Sequence, residues 1–309
     1  MMISASIILL TRNGEKDINN CLSAIFSQKT SHVFEVIAID SGSTDSTPDI
    51  LSKFPLKVIH IMPAEFGHGT TRNHGARLAN GRYLVYITQD AIPFDENWLE
   101  LLINSVDGNM EIAGAYSRNI PKEGCDPFEA RYVAKAWGKK REVKSIKNYK
   151  NFKKLVFFSN TSSCIRKDVW EKFPFNEELV QTEDQDWSKK VLEAGYKIVY
   201  EPASIVCHSH TYPVKKLFSK YFDAGTAHKQ IFKDNNNVYF PLIPLFAIAV
   251  MLLDINFMVK RNCTLLSILK WIPDSIIRHL TEATGFWLGL HSRFLPVKIK
   301  RNFTMYGRY

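Results

Sequence analysis

Acidic residues gather at three places along the chain where chemistry could be done. Asp40 and Asp45 flank a turn-rich Ser41-Gly42-Ser43-Thr44, Asp90 follows an apolar run ending in Thr88-Gln89, and Glu183, Asp184 and Asp186 crowd a single helical turn. An aspartate at a strand end can accept hydrogen bonds from a nucleobase imide or a ribose, a contact that also rejects the wrong base. The same S-G-S-T-D-S-T pattern suits a turn built by aspartate side-chain hydrogen bonds. Asp90 offers the hard oxygen that Mg2+ or Mn2+ shares with substrate phosphates. His208 or His210 could add a nitrogen ligand, which would favour Mn2+, although an isolated His-x-His also serves structural ends. Arg72, in Thr70-Thr71-Arg72-Asn73, can hold an anionic or carbonyl-rich ligand or make an ordinary salt bridge. The carboxylates at 183–186 complement a helix dipole, and one of them could act as general base toward an acceptor hydroxyl.

These residues need a scaffold, and the hydrophobic pattern supplies one. Ser4–Leu10, Phe34–Ile39, Lys57–Met62 and Tyr83–Thr88 read as strands. Between them, Ile18, Leu22, Ile25 and Phe26 share one helical face. Thr47-Pro48 opens a second helix, and Thr70–Ala79 forms a third, stopped by Asn80-Gly81. Asp95 is expected to cap a helix with Leu99, Leu102, Ile103 and Val106 inward. Strands alternating with helices predict an α/β fold whose sheet is mixed but mostly parallel, with helices on both faces. Ligands of such sheets sit beyond the carboxyl ends of the strands. Thr11-Arg12-Asn13, Asp40 and Gln89-Asp90 all fall at such ends.

Further on, Ile112–Ser117 and Phe157–Ile165 read as strand or extended chain. Thr182 to Gln185 has the form of a capping box, opening a helix that carries Trp187 and Val191 inward and ends at Gly195. Two short strands, Lys197–Tyr200 and Ser204–Cys207, lead into His208.

The 309 residues carry a net charge of +9, unevenly spread. Residues 135–154 contain nine Lys or Arg and one Glu, and residues 238–309 contain nine Lys or Arg and three acids. The rest is therefore mildly acidic, with two basic appendages suited to a polyanionic surface. Val238–Leu253 is sixteen uncharged residues, short of the ~20 a spanning helix needs, so it reads as a span, an interfacial helix or a buried core helix. Leu265–Leu290 is amphipathic and mixes aromatic with basic residues, favouring a bilayer surface. Five scattered cysteines without a CxxC pair fit a reducing compartment, and Ser4–Leu10 is too short for a secretory leader. Nothing matches an RNA-binding or zinc-finger signature, so no nucleic-acid partner is expected.

Read in order, SIILLTRN, FEVIAIDSGSTDST, TTRNHGARLANGRYLVYITQDAIP and PFNEELVQTEDQDWSKKVLEAGYKIVYEPASIVCH resemble the inverting GT-A glycosyltransferases of family 2. The likeness spans roughly residues 3–210. FGHGTTRN at 66–73, the TQDA variant and KYFDAGTAH with WIPDSIIRHL resemble bacterial rhamnosyltransferases of O-antigen and exopolysaccharide assembly. The resemblance implies a GT-A catalytic domain over 1–212, with a nucleotide-binding half at 1–118 and an acceptor-binding half at 119–212. Residues 213–309 then form a helical, membrane-associating region. It implies that Thr11, Asn13, Asp40, Asp45, Arg72, Thr88, Gln89 and Asp90 bind the donor nucleotide and that Asp184 is the catalytic base. Asp90 and His208 would hold Mg2+ or Mn2+. Thr88 stands where the family's DxD motif has its first aspartate, which puts the strength of metal binding in question. The donor expected is dTDP-rhamnose, with a UDP-hexose as the alternative. The acceptor expected is a polyprenyl-diphosphate-linked or oligosaccharide chain at the cytoplasmic face of a bacterial inner membrane, reached through its anionic surface.

Overall fold

The computed structural model describes residues 2–148, 152–232 and 240–305. Residues 149–151 of the basic stretch, and Val238 and Tyr239 at the head of the apolar run, lie outside the described residues. The chain divides into two compact units, one of Met1–Lys122, Ala136–Leu179 and Glu183–His208, the other of Glu123–Lys135, Val180–Thr182 and Ser209–Tyr309.

The first unit opens with β1 (Ala5–Thr11), α1 (Ile18–Phe26), β2 (Phe34–Asp40), α2 (Thr47–Leu51), β3 (Lys57–His60), α3 (His68–Leu78) and β4 (Tyr83–Thr88). It continues through β5 (Ile92–Pro93), α4 (Trp98–Asn104) and β6 (Ile112–Ile120). After α5 (Pro127–Ala136), assigned mostly to the second unit, come β7 (Glu142–Lys144), α6 (Phe152–Leu155), β8 (Ser162–Arg166), α7 (Lys167–Lys172), α8 (Glu183–Glu193) and β9 (Lys197–Cys207). Among the described residues these strands form one sheet in the order β3-β2-β1-β4-β8-β6-β9-β5, with β7 beside β9.

The sheet is mixed. β1, β2, β3 and β4 are mutually parallel, β8 runs against both β4 and β6, and β9 is parallel to β6. Six strands therefore point one way, and only β5, β7 and β8 oppose them.

β1 is buried along its whole length because both faces of the sheet are covered. Ile7 and Leu9 pack in one cluster with Ile18, Leu22 and Ile25 of α1 and with Trp98, Leu99 and Leu102 of α4. On the opposite face, α3 approaches so closely that a Cβ at Gly75 would lie 2.5 Å from Ile8 Cγ2. Only glycine fits there without moving the helix.

Several local details differ from expectation. Asp95 does not cap α4; its Oδ1 accepts from the Asn97 N–H at 2.9 Å, and the helix begins at Trp98. The two short strands expected near 200 are one, β9, with a register shift against β6 where Pro202 interrupts the ladder. Residues 157–159 carry no regular structure, residues 160–161 form a turn, and β8 starts at Ser162. The capping box does not form. Thr182 has a positive φ of 65°, and its buried Oγ1 has no hydrogen-bond partner.

The second unit is helical, with α9 (Val214–Phe232), α10 (Ile243–Lys260), α11 (Leu265–Leu290) and α12 (Val297–Phe303). Its apolar interior contains a charged cluster. Arg131 donates to Asp254, Ser275 Oγ donates to Asp254 at 2.6 Å, and His279 Nε2 lies 2.8 Å from the same carboxylate. Small residues bring α9 and α11 together, since a Cβ at Gly289 would meet the Phe222 carbonyl oxygen at 2.1 Å. Residues 240–260 form a helical stretch long and apolar enough to cross a bilayer.

Candidate active site

The parallel half of the sheet aligns three strand ends. Thr11 is paired with Asp40 across β1 and β2, and Leu10 with Thr88 across β1 and β4. Parallel neighbours lie about 4.8 Å apart, so Asp40, Thr11 and Thr88 form a row at one edge of the unit.

Gln89 binds that row together. Its Oε1 accepts from Thr11 Oγ1 at 2.6 Å and from the Arg12 N–H at 2.8 Å, while its Nε2 donates to the Arg12 carbonyl at 3.0 Å. Asn13, held at φ 47°, donates its N–H to Ser43 Oγ at 2.9 Å and accepts from the Thr44 N–H at 2.8 Å. Ser43 in turn donates both its N–H and its hydroxyl to the buried Asp40 carboxylate. His60 Nδ1, at the end of β3, lies 3.5 Å from Asp40 Oδ2.

Asp45 plays a scaffold part in this cluster. One oxygen accepts from the Glu15 N–H at 3.1 Å and the other from the Thr47 N–H at 3.0 Å. Partial burial pushes its pKa up, but hydrogen bonds from Thr47 and Glu15 prevail and hold it below the usual carboxylate value. Both oxygens are thus committed to the two loops that shape the row.

Asp90 lies beyond the end of β4, where Ile92 of β5 pairs antiparallel with Cys207 of β9. That pairing sets Asp90 Oδ1 3.5 Å from His208 Nε2, both side chains largely shielded. A hard carboxylate oxygen and an imidazole nitrogen at this separation suit a shared divalent cation that keeps positions open for phosphate oxygens. His210 falls in the other compact unit.

Thr88 itself has a buried Oγ1 with no hydrogen-bond partner. Its backbone makes the next link, because Thr88 N–H donates to the Thr161 carbonyl at 3.2 Å. The neighbouring Asn160 N–H donates to Asp184 Oδ2 at 3.1 Å, and the Gln185 N–H donates to Asp184 Oδ1 at 2.8 Å. The start of α8 is therefore tied through residues 160–161 to the edge carrying Thr11, Asp40 and Thr88.

The electrostatics of that helix start are unequal. Glu183 is buried and receives a hydrogen bond from Arg72 Nη1 at 2.5 Å, with Asn160 Nδ2 3.3 Å away. Burial alone would raise its pKa, but Arg72 and His68 hold it down, and it stays ionised. Asp184 goes the other way. Burial, then the adjacent Glu183 charge, push its pKa up to about 7 against the hydrogen bonds from Asn160 and Gln185. Neighbouring carboxylates driven apart in this way are the usual mark of assigned acid–base roles.

Arg72 is thus engaged with Glu183, a contact that reading the chain as a sequence did not anticipate. Its neighbour Asn73 accepts from Trp170 Nε1 at 2.9 Å and from the Phe175 N–H at 3.1 Å, and donates to the Phe175 carbonyl at 2.9 Å. At the start of α3, a Cβ at Gly69 would meet the Asn176 carbonyl oxygen at 2.4 Å. The 66–73 motif therefore positions the chain on the approach to α8. Asn160 is the candidate site residue that sequence reasoning missed. The polar run Ser159–Ser163 between apolar segments was its available signal.

Comparison with known proteins gives the family and the fold. Residues 6–173 match the model of glycosyl transferase family 2. The chain is 31% identical to the O-antigen chain rhamnosyltransferase WbaN of Salmonella anatum, over 92% of this chain and 88% of that one. It is 29% identical to the O-antigen chain rhamnosyltransferase RfbN of Salmonella typhimurium, over 98% and 95%. Among solved structures, the fold is similar to the mannosyltransferase PcManGT of Pyrobaculum calidifontis, solved with GDP-Man and Mn2+, at a TM-score of 0.61 and 14% identity, covering 95% of this chain and 88% of that one. Staphylococcus aureus TarS 1–349 matches at a TM-score of 0.52 and 17% identity, covering 94% and 91%. The chain is a glycosyltransferase with a GT-A fold and belongs to glycosyl transferase family 2.

Proposed function

We propose that this enzyme transfers L-rhamnose from dTDP-rhamnose to a lipid-linked or saccharide acceptor in O-antigen assembly, inverting the anomeric carbon. The observation that carries the reading is Asp184, a carboxylate with its pKa near neutrality, tied by Asn160 and Thr161 to the strand-end row. The resemblance to WbaN and RfbN over nearly the whole chain supports the donor and the pathway.

On this reading the row of Thr11, Asn13, Asp40 and Thr88, closed by Gln89, receives the donor nucleotide. Asp40 is pre-oriented by Ser43, and the unpartnered Thr88 hydroxyl is free to bond a polar ligand atom. Asp45 fixes the loop that shapes this cradle. Residues 1–118 supply the donor half and residues 119–212 the acceptor half. Asp184 accepts the proton of the acceptor hydroxyl as that oxygen attacks the anomeric carbon from the face opposite the nucleotide. With a pKa near 7 it is basic enough to take the proton yet ionised in much of the population at neutral pH. Burial and the negative charge of the adjacent Glu183 keep that pKa high, against the opposing pull of Arg72. Bound at Asp90 and His208, Mg2+ or Mn2+ would supply positive charge against the departing nucleoside diphosphate. The protein would act at the cytoplasmic face of a bacterial inner membrane, where a polyprenyl-diphosphate-linked acceptor resides.

A nucleotide-release screen of dTDP-rhamnose against UDP-hexoses, with and without Mg2+ or Mn2+, tests the proposal. Release of dTDP from dTDP-rhamnose alone is expected in the presence of acceptor. Preference for a UDP-sugar would overturn the donor and leave the family unchanged.

A further inference from the structure

Helix α10 has two contrasting sides. Ile243, Ala247, Asp254 and Met258 recur at helical spacing and are buried in the second unit, with Asp254 bonded to Ser275 and facing Arg131 and His279. Much of the remaining surface is apolar and open, with Leu245 63% and Leu252 57% exposed. The open surface continues past the α10–α11 turn, where Leu266 is 82% exposed. A contiguous apolar surface of this kind marks an interaction site rather than a face left to water.

Residues 240–260 are long and apolar enough to cross a bilayer, yet their partner helix argues against it. Ser275 of α11 bonds Asp254, so that turn of α11 lies beside α10 within about one helical turn of the middle of the stretch. The adjoining Asp274 is exposed, as is Lys270 one turn earlier. A crossing α10 would carry Asp274 into hydrocarbon, where ionisable groups are rare unless paired inside a bundle. The polar side that an interfacial helix needs is supplied here by α5 and α11.

The charge fits one kind of surface. Lys260, Arg261 and Lys270 are exposed around the α10–α11 turn. At the same end a cavity of about 260 Å³ is lined by Phe257, Met258, Trp271 and Arg261, pairing aromatic with cationic groups as proteins do at the headgroup level.

We infer that α10 and the first turn of α11 lie in the plane of an anionic bilayer, with their apolar face immersed in one leaflet and without crossing it. This goes beyond the transfer reaction, and its test reads no turnover, so its failure would leave the glycosyltransferase reading intact.

The test is flotation of the full chain with phosphatidylcholine vesicles, with and without phosphatidylglycerol. The chain should float with the anionic vesicles, and Leu245→Asp with Leu252→Asp should cut the bound fraction at least tenfold. Replacing Lys260, Arg261 and Lys270 by Gln should weaken binding by about tenfold or more, since each basic residue near an anionic surface contributes. Circular dichroism melting checks that the variants stay folded. Nitroxides at 245, 252 and 259 should report similar shallow depths. No flotation of the unaltered chain, self-association that covers the face, or a depth profile peaking at 252 would each overturn the inference.

Discussion

The Arg72 guanidinium and the Glu183 carboxylate meet at 2.5 Å with both side chains buried, and the next residue along the chain is Asp184. This ion pair joins α3 to α8 and places a fixed negative charge beside the candidate base. Removing one partner of a buried pair leaves the other uncompensated, typically at about 3–5 kcal/mol. Glu183→Gln should therefore lower the melting temperature by several degrees. It should also relieve Asp184 of the charge that raises its pKa. Because the base works only when ionised, the acidic limb of the pH–rate profile should move to lower pH. An unmoved limb would show that Glu183 does not tune Asp184.

Asp184 itself sets activity against stability. Its folded pKa of about 7 lies above its unfolded value, so its contribution to stability is present below about pH 4 and lost as pH rises through 7. Asp184→Asn imitates the protonated form at every pH. Transfer should fall by about 10²–10⁴-fold, the usual cost of a lost general base, while donor affinity is retained. At pH 8 the variant should melt higher than the parent, and near pH 4 the two should converge. Melting curves at the two pH values, alongside a donor-binding titration, check both halves.

Asn160 holds this pair from the other side. Its N–H reaches Asp184, its Nδ2 reaches Glu183 at 3.3 Å, and its Oδ1 accepts from Ser163 Oγ at 2.7 Å. Asn160→Ala keeps the backbone bond but strips Glu183 and Ser163 of a buried partner, a loss of about 1–3 kcal/mol. Reduced kcat with little change in donor KM is expected, because the donor row does not depend on that side chain. Steady-state kinetics separate the two effects.

The framework of the strand-end row was legible because it is local. Apolar runs of strand length ending in Thr11, Asp40 and Thr88 declare both the strands and the edge where their polar ends collect. Asp40 stood out by its strand-end position, whereas the helix start offered three carboxylates and only the family resemblance picked Asp184 from them. What stayed hidden depends on contacts distant in sequence. The partner of Arg72 is Glu183 of α8, 111 positions away. Asn160 lies in a segment with no periodicity, and although Phe157–Ile165 read as strand or extended chain, where β8 begins is set by its pairing with β4 and β6. Thr182 shows the opposite failure. Its capping signature is strong locally, yet the chain enters α8 through a positive φ that the signature does not encode.

The unpartnered hydroxyl of Thr88 leads to a last prediction, which extends to the candidate cation site. Thr88 Oγ1 is buried with no partner, so Thr88→Val removes no hydrogen bond within the protein. Its melting temperature should be unchanged or slightly higher, since an unsatisfied buried hydroxyl is itself a cost. If the hydroxyl serves the donor, the donor KM should rise by several-fold with kcat preserved. Asp90→Asn and His208→Ala should behave differently, because their side chains face each other at 3.5 Å and offer the oxygen and nitrogen a divalent cation would use. Mn2+ titration followed by electron paramagnetic resonance should then show weaker binding in both variants and parental binding in Thr88→Val. Parental Mn2+ affinity in Asp90→Asn would remove that carboxylate from the cation site, whatever the variant's activity.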